Sequence, residues 1–198
     1  MTIPVLASGS VTRREMLERA GVPVLVDPAR IDEAALRESL IAEGADAARA
    51  AEALAEVKAL QVSARHPGAL VLGADQMLDC EGTWFEKPAD RAAARAQLLA
   101  LRGRRHTLIS AVVAVRDGQR VWHAVERARL TMRPFGEDFL DAYLERAGDD
   151  VLSSVGAYRI EELGIQLFDR IEGDHATILG LPLLPLLDFL RDNGVIGR

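Results

Sequence analysis

The chain has 198 residues, of which 49% are hydrophobic and 5% aromatic, and carries a formal net charge of −6. That length suits one domain with a sizeable aliphatic core, and the absence of any Lys/Arg block interleaved with aromatics argues against a nucleic-acid partner. The single cysteine, Cys80, rules out an internal disulfide, and no apolar run approaches the ~20 residues that span a bilayer. No basic segment leads into a long apolar stretch near the N-terminus, so a cytoplasmic protein without a membrane anchor is expected.

Residues 3–7 form a short apolar run that reads as a buried strand, interrupted by Ser8-Gly9-Ser10. The stretch 12–20 then reads as a helix stopped by Gly21 and Pro23, and 24–26 as a second short strand. Residues 33–43 and 46–65 are rich in Ala, Leu and Glu and read as two helices divided at Gly44. An apolar stretch at 69–78, bounded by turn signals, reads as a buried strand. Glu81-Gly82 is a turn, followed by an irregular piece through Pro88. Asp90 can cap a helix reaching Leu101, and 106–116 with 120–132 read as a hairpin around Asp117-Gly118. An amphipathic helix over 135–146, an irregular segment to Gly164, a strand at 165–171 and a last helix at 183–191 complete the chain. Strands alternating with helices at both ends, with a hairpin between, give a mixed-sheet α/β architecture, taken as one domain over 1–198.

Only two of the 24 basic residues are lysines, Lys58 and Lys87. Arginine presents a planar fork and lysine a compact point charge, so the two are not interchangeable where a phosphate is held. Both lysines fall in segments that look chemical on other grounds. Lys58 sits about 40° from Leu54, at the edge of its helix's apolar stripe, where it either snorkels to solvent or points into a cleft. Lys87 is followed by Pro88, which biases it to extended geometry.

Two further segments stand out. Ser8-Gly9-Ser10-Val11-Thr12-Arg13-Arg14 lies between a strand and a helix, where free N–H groups and a partial positive charge favour an anion. Ser8, Ser10 and Thr12 add hydroxyls, and Arg13 and Arg14 add charge. Gly73-Ala74-Asp75-Gln76 ends the buried strand. Alternation puts Val71, Gly73, Asp75 and Met77 on one face and Leu70, Leu72, Ala74 and Gln76 on the other. A carboxylate there is expensive to bury unless it meets a cation, a metal or several donors. Gly156-Ala157-Tyr158-Arg159-Ile160-Glu161 offers a carboxylate, Glu161, to a base or ribose. The four histidines lack metal-ligand spacing.

Taken in order, these segments resemble the Maf family of nucleoside triphosphate pyrophosphatases. The matching stretches are Leu6-Ala7-Ser8 with Arg13-Arg14, Asp32-Glu33, Lys58-Ala59, Gly73-Ala74-Asp75-Gln76, Lys87-Pro88, Gly103-Arg104, Gly156-Ala157-Tyr158, Ile171-Glu172-Gly173-Asp174 and Gly180-Leu181-Pro182-Leu183. The resemblance implies an elongated mixed β-sheet flanked by helices, with two lobes around a central cleft. It implies hydrolysis of a nucleoside triphosphate at the α–β anhydride with a divalent cation, Mg²⁺ or Mn²⁺. Asp75 then matches the general base, Lys58, Lys87, Arg13 and Arg14 the phosphate cations, Ser8 and Ser10 the loop hydroxyls, and Glu33 with Asp75 the metal carboxylates. A homodimer is compatible with it.

The chain departs from the family pattern in places. The common Ser-Pro-Arg-Arg is here Ser10-Val11-Thr12-Arg13-Arg14, Glu86 replaces a Gly before Lys87-Pro88, and Ser154-Val155 replace a Lys-containing pair. Gln76 and Glu161 stand where dTTP- and UTP-preferring members have Thr and Gln, and that pair resembles the 7-methyl-GTP branch. A dTTP/UTP enzyme and a nucleotide-binding regulator of cell division with little turnover are the competing expectations. An unrelated α/β phosphatase is disfavoured, because the chain has no Asp-x-Asp or Cys-x5-Arg nucleophile motif.

Overall fold

The computed structural model describes residues 3–197. In chain order the elements are β1 (Val5–Leu6), α1 (Val11–Arg19), β2 (Leu25–Val26), α2 (Glu33–Ala42), α3 (Ala47–Ser63), β3 (Leu70–Cys80), β4 (Thr83–Phe85) and α4 (Arg91–Leu101). There follow β5 (Arg105–Arg116), β6 (Gln119–Met132), α5 (Glu137–Ala147), β7 (Phe168–Glu172), α6 (His175–Ile178) and α7 (Leu183–Asp192), with short 3-10 turns between α5 and β7. The sheet is seven-stranded and mixed, in the order β2-β1-β3-β5-β6-β7 with β4 on β3. β1 is parallel to β2 and β3, whereas β4 and β7 are antiparallel to β3 and β6. This is the expected mixed α/β class.

Helix starts follow the side chains that cap them. Ser10, Asp32, Asp46, Asp90 and Asp174 each accept the backbone N–H three residues on, which satisfies one of the orphan donors of the first turn. Two elements were not anticipated. β4 lies in the piece read as irregular, and α6 is a single turn after Asp174. The antiparallel return to β4 uses Glu81 and Gly82, both at positive φ (55° and 84°), which suits a tight two-residue hairpin. The strand expected at 165–171 begins only at Phe168, because Leu163–Leu167 coils as a 3-10 turn.

The chain divides into two compact units. The first comprises Met1–Gln76, Ile109–Arg127 and Asp174–Arg198. Its core gathers Leu6, Leu17, Leu70, Leu72, Ala74, Val112, Leu181, Leu186 and Leu190. Leu70, Leu72 and Ala74 therefore pack on the α7 side of β3. The opposite face meets α3, and Gly73 makes that approach possible. A Cβ there would collide with the Ala55 carbonyl and lie 2.8 Å from the Ala59 nitrogen. Trp122 stacks on Phe189 in the same unit, with centroids 4.7 Å apart.

The second unit comprises Met77–Leu108 and Ala128–Gly173. At its centre His106, 1% exposed, lies with Nε2 2.7 Å from the Tyr158 hydroxyl and its ring tilted against Phe168. Nδ1 has no hydrogen-bond partner. Burial depresses the His106 pKa to about 4. The unfolded chain takes up that proton near pH 6.5, so between 6.5 and 4 the unfolded state binds more protons than the folded one. The stabilisation is full above pH 6.5 and is lost as pH falls through that window, by up to about 3 kcal/mol. Thermal melts across pH 4–6.5 should show this slope, and His106→Phe should flatten it. An unchanged slope in the variant would assign the acid sensitivity to other groups. No helix among the described residues is long and apolar enough to cross a membrane.

Candidate active site

The first unit gathers most of the chemically marked residues around the middle of β3. Asp75 is 4% exposed and stands in the middle of β3, not at its end as expected, because the strand continues to Cys80 where it pairs with β4; β3 is buried on both faces. The face predicted by alternation holds: Asp75, like Gly73, faces α3, and its Oδ1 accepts from Lys58 Nζ at 2.7 Å. Lys58 is itself 8% exposed, so it points inward from the edge of its helix stripe. The same ammonium lies 2.9 Å from Glu33 Oε1 at the start of α2. Lys58 thus bridges two carboxylates. Two buried charges this close are tolerable because each meets the other at hydrogen-bond distance.

The bridge leaves one atom without a partner. Asp75 Oδ2 is buried and makes no hydrogen bond, an arrangement that costs free energy unless a ligand supplies the missing contact. Glu33 is held from its other side by Arg37, Nη2 to Oε2 at 3.2 Å. Burial pushes the Glu33 carboxyl up, but the charge and hydrogen bond of Lys58, with Arg37 and Arg13, outweigh it and hold the group below the ordinary glutamate value.

The loop before α1 supplies hydroxyls and N–H groups. Ser8 is buried, and its Oγ accepts from Ser10 N at 3.3 Å and from Arg13 Nη1 at 3.0 Å. With both lone pairs engaged, its own O–H is the group left to donate. Ser10 caps α1 by accepting from Arg13 N. Thr12 lies in the first turn, half-buried. Gly9 is not demanded by the protein's own packing, since a Cβ there would meet only Pro28, at 3.8 Å.

The two arginines of the loop have different situations. Arg13 turns inward, donating from Nε to Gly180 O at 2.8 Å and from Nη1 to Ala74 O at 3.1 Å. Burial lowers its pKa, and the charges of Asp75 and Glu33 work against that. Its fork is largely spent on the protein, so it adds positive charge and ties α1 to β3. Arg14 is exposed, 3.8 Å from Glu18.

Gln76, on the other face of β3, does not join Asp75. Its Nε2 faces Ser110 Oγ and the carbonyls of Thr177 and Ile178 at 3.0–3.1 Å. These contacts orient the amide and turn Oε1 away from them. Ser110 and Thr177, both buried, are not marked in the sequence; the Asp174-x-x-Thr177 spacing, an Asp three residues before the N–H it accepts, is the one signal that could have pointed to this turn.

Lys87 and Glu161 belong to the second unit. Lys87 is exposed just before Pro88. Glu161 Oε1 accepts from Arg159 Nε and Nη2 at 3.2 Å. The backbone leading to Glu161 is fixed by three contacts: Tyr143 Oη to Ala157 O at 3.1 Å, Ser154 Oγ to Tyr158 O at 2.6 Å, and the His106–Tyr158 pair. Ala157 is held there at a positive φ of 60°, strain that the surrounding contacts must sustain.

The chain has known relatives. A nucleoside triphosphate pyrophosphatase of Paramagnetospirillum magneticum is 65% identical over 190 residues, covering 96% of this chain and 98% of that protein. One from Granulibacter bethesdensis is 54% identical, covering 96% of each. Among solved structures, a nucleoside-triphosphatase / dITP/XTP pyrophosphatase of Mycobacterium abscessus is 16% identical with a TM-score of 0.45, covering 96% of this chain and 93% of that one. Residues 4–193 match the Maf-like protein family, and with that span and those identities the chain belongs to it.

Proposed function

We propose that the chain hydrolyses a nucleoside triphosphate at the α–β anhydride, releasing a nucleoside monophosphate and pyrophosphate. The observation that carries this reading is the buried Asp75 carboxylate, fixed through Oδ1 by Lys58 and offering an unpartnered Oδ2. The names of the relatives support the reaction class.

In this reading Asp75 Oδ2 holds the attacking water and accepts its proton. The water oxygen bonds to phosphorus as the bridging oxygen leaves with the pyrophosphate. The Ser8 O–H and the free N–H groups at the start of α1 take phosphate oxygens, with Ser10 and Thr12 beside them and Arg14 near the surface. Arg13 and Lys58 supply positive charge without having to move, and Lys87 adds to it.

The donor set fits a divalent cation. Two carboxylates, Glu33 and Asp75, one with an unpartnered oxygen, suit a hard ion of the kind bound by one or two carboxylates plus substrate phosphates. No cluster of three His, Cys, Asp or Glu occurs among the described residues, so phosphate oxygens and water would complete the ligation. When bound, Mg²⁺ or Mn²⁺ would withdraw charge from the phosphates.

The base reading rests on Gln76 and Glu161. Methylation at N7 gives guanine a positive charge, and Glu161 Oε2, outside the bonds to Arg159, can accept a guanine N1–H. Gln76 offers Oε1. We therefore expect pyrophosphate release from 7-methyl-GTP to exceed that from GTP, UTP, dTTP and CTP, and Glu161→Gln to erase the preference. A loss of one well-placed polar contact typically costs a factor of about 10–100 in kcat/KM. Preference for UTP or dTTP would keep the reaction and overturn the roles of Gln76 and Glu161. Nucleotide binding without turnover would make the chain a regulator instead.

A further inference from the structure

The segment between β2 and α2 has no regular structure, yet every third residue from Asp27 to the start of α2 is tied to α3 or to the turn that follows it. Asp27 takes Arg65 through both carboxylate oxygens, Nη2 at 2.9 Å and Nε at 3.1 Å, and its Oδ2 lies 2.8 Å from His66 Nε2. Three residues on, Arg30 N donates to Gln61 Oε1 at 2.6 Å and Gln61 Nε2 donates back to Arg30 O at 2.7 Å. Three residues further, Glu33 meets Lys58. The strap 27–32 and the first residue of α2 therefore run antiparallel to α3, on rungs at 61 and 58, with a third rung at 65/66 in the turn just past its end. Lys58 and Gln61 are i,i+3 neighbours on one helix face. The middle rung is an amide-to-backbone pair of the kind a strand partner would supply, given to a stretch with no ladder of its own.

We propose that Gln61 is a positioning residue for the reaction: by clasping the backbone of Arg30 it sets how far Glu33 reaches toward Lys58 and Asp75. The physical need is plain. α2 buries only Leu40, near its far end, so packing alone anchors its first turn weakly. Glu33 is the first residue of that turn, half-exposed, and its carboxylate must meet an ammonium whose other contact is the buried Asp75. Groups one step removed from a metal or reacting centre commonly cost a factor of about 10–100 in ion affinity or activity when lost.

The proposal rests on the reading that Asp75 and Glu33 are the working carboxylates, and the test separates the two. Gln61→Met keeps the length and stem of the side chain and removes both hydrogen bonds. We expect turnover to fall about tenfold and the Mn²⁺ concentration for half-maximal rate to rise by a similar factor. Nucleotide KM should stay within about twofold, the split expected of a residue that leaves ground-state binding intact. Mn²⁺ affinity read by electron paramagnetic resonance, with α,β-methylene-GTP present, should weaken in parallel without any turnover. In a Glu33→Gln background the substitution should add little, because both act through one carboxylate.

Full multiplication of the two losses, or a lower melting temperature with unchanged kinetics and Mn²⁺ affinity, would make Gln61 merely structural and overturn the proposal. An impaired Glu33→Gln protein beside a normal Gln61→Met protein would overturn the proposal alone. A Glu33→Gln protein normal in every assay would overturn the reading of the carboxylates and the proposal with it.

Discussion

An Asp75→Asn chain should lose its pyrophosphate release by a factor of about 10²–10⁴ while remaining folded, the range typical for removal of a general base. The substitution keeps the shape of the side chain, and the amide oxygen can still accept from Lys58 as Oδ1 does. Glu33 stays within 2.9 Å of the same ammonium, so the lysine is not left as an uncompensated buried charge. What disappears is the carboxylate oxygen of this bridge that the protein itself does not satisfy: Oδ2, buried without a partner. An amide nitrogen there donates instead of accepting a proton. Turnover with 7-methyl-GTP and a thermal melt, measured on one preparation, check both halves. Wild-type turnover would remove Asp75 from proton transfer, and a collapsed melt would make it a structural carboxylate.

Gly73→Ala should have the largest effect on stability. The added methyl would strike the Ala55 carbonyl and lie 2.9 Å from the Ala59 Cβ, so it meets a rigid helix backbone and not a side chain that can turn aside. Overpacking of this kind costs about 1–3 kcal/mol, and more where backbone must shift. Two residues along β3 on the same face is Asp75, and between Ala55 and Ala59 on α3 is Lys58. Moving α3 off β3 therefore also opens the Lys58–Asp75 contact, 2.7 Å as it stands. We expect a melting temperature lower by several degrees and a loss of turnover together. An unchanged melt would show that α3 can slide over β3 at no cost, and the close approach would lose its significance.

The two outcomes differ in kind. Asp75 was marked by its chemistry: a carboxylate in an apolar strand is costly, and cost of that kind points to function. Gly73 was marked only as a member of the same motif. Its physical meaning, a helix lying against the strand, belongs to the packing of residues 55 and 59 on residue 73, far apart in sequence. Gln61 carried no signal at all. A glutamine on a helix flank is ordinary, and only the strap folding back on α3 gives it a partner.

The same division holds across the fold. The cap at Asp90 and the hairpin at Asp117-Gly118 were legible because caps and tight turns are decided within a few residues. β4 was missed although Glu81-Gly82 is followed by the strand formers Thr83, Trp84 and Phe85; three residues carry too little period to read. The start of β7 was placed early, since the alternation from Ile165 onward cannot say where pairing with β6 begins.

The mixed α/β class, the family motifs and the identity of the charged groups are readable along the chain, because they depend on local period, capping and residue chemistry. Only the tertiary structure decided which of those groups meet. It turned Lys58 inward onto Asp75 and Glu33, spent the Arg13 fork on Gly180 and Ala74, tied the Gln76 amide to Ser110 and the turn at Thr177, and paired Glu161 with Arg159. The physical reason is that the partner of a buried charge is supplied by whatever backbone and side chains the fold brings within about 3 Å of it, and for Lys58 that partner is 17 residues away along the chain.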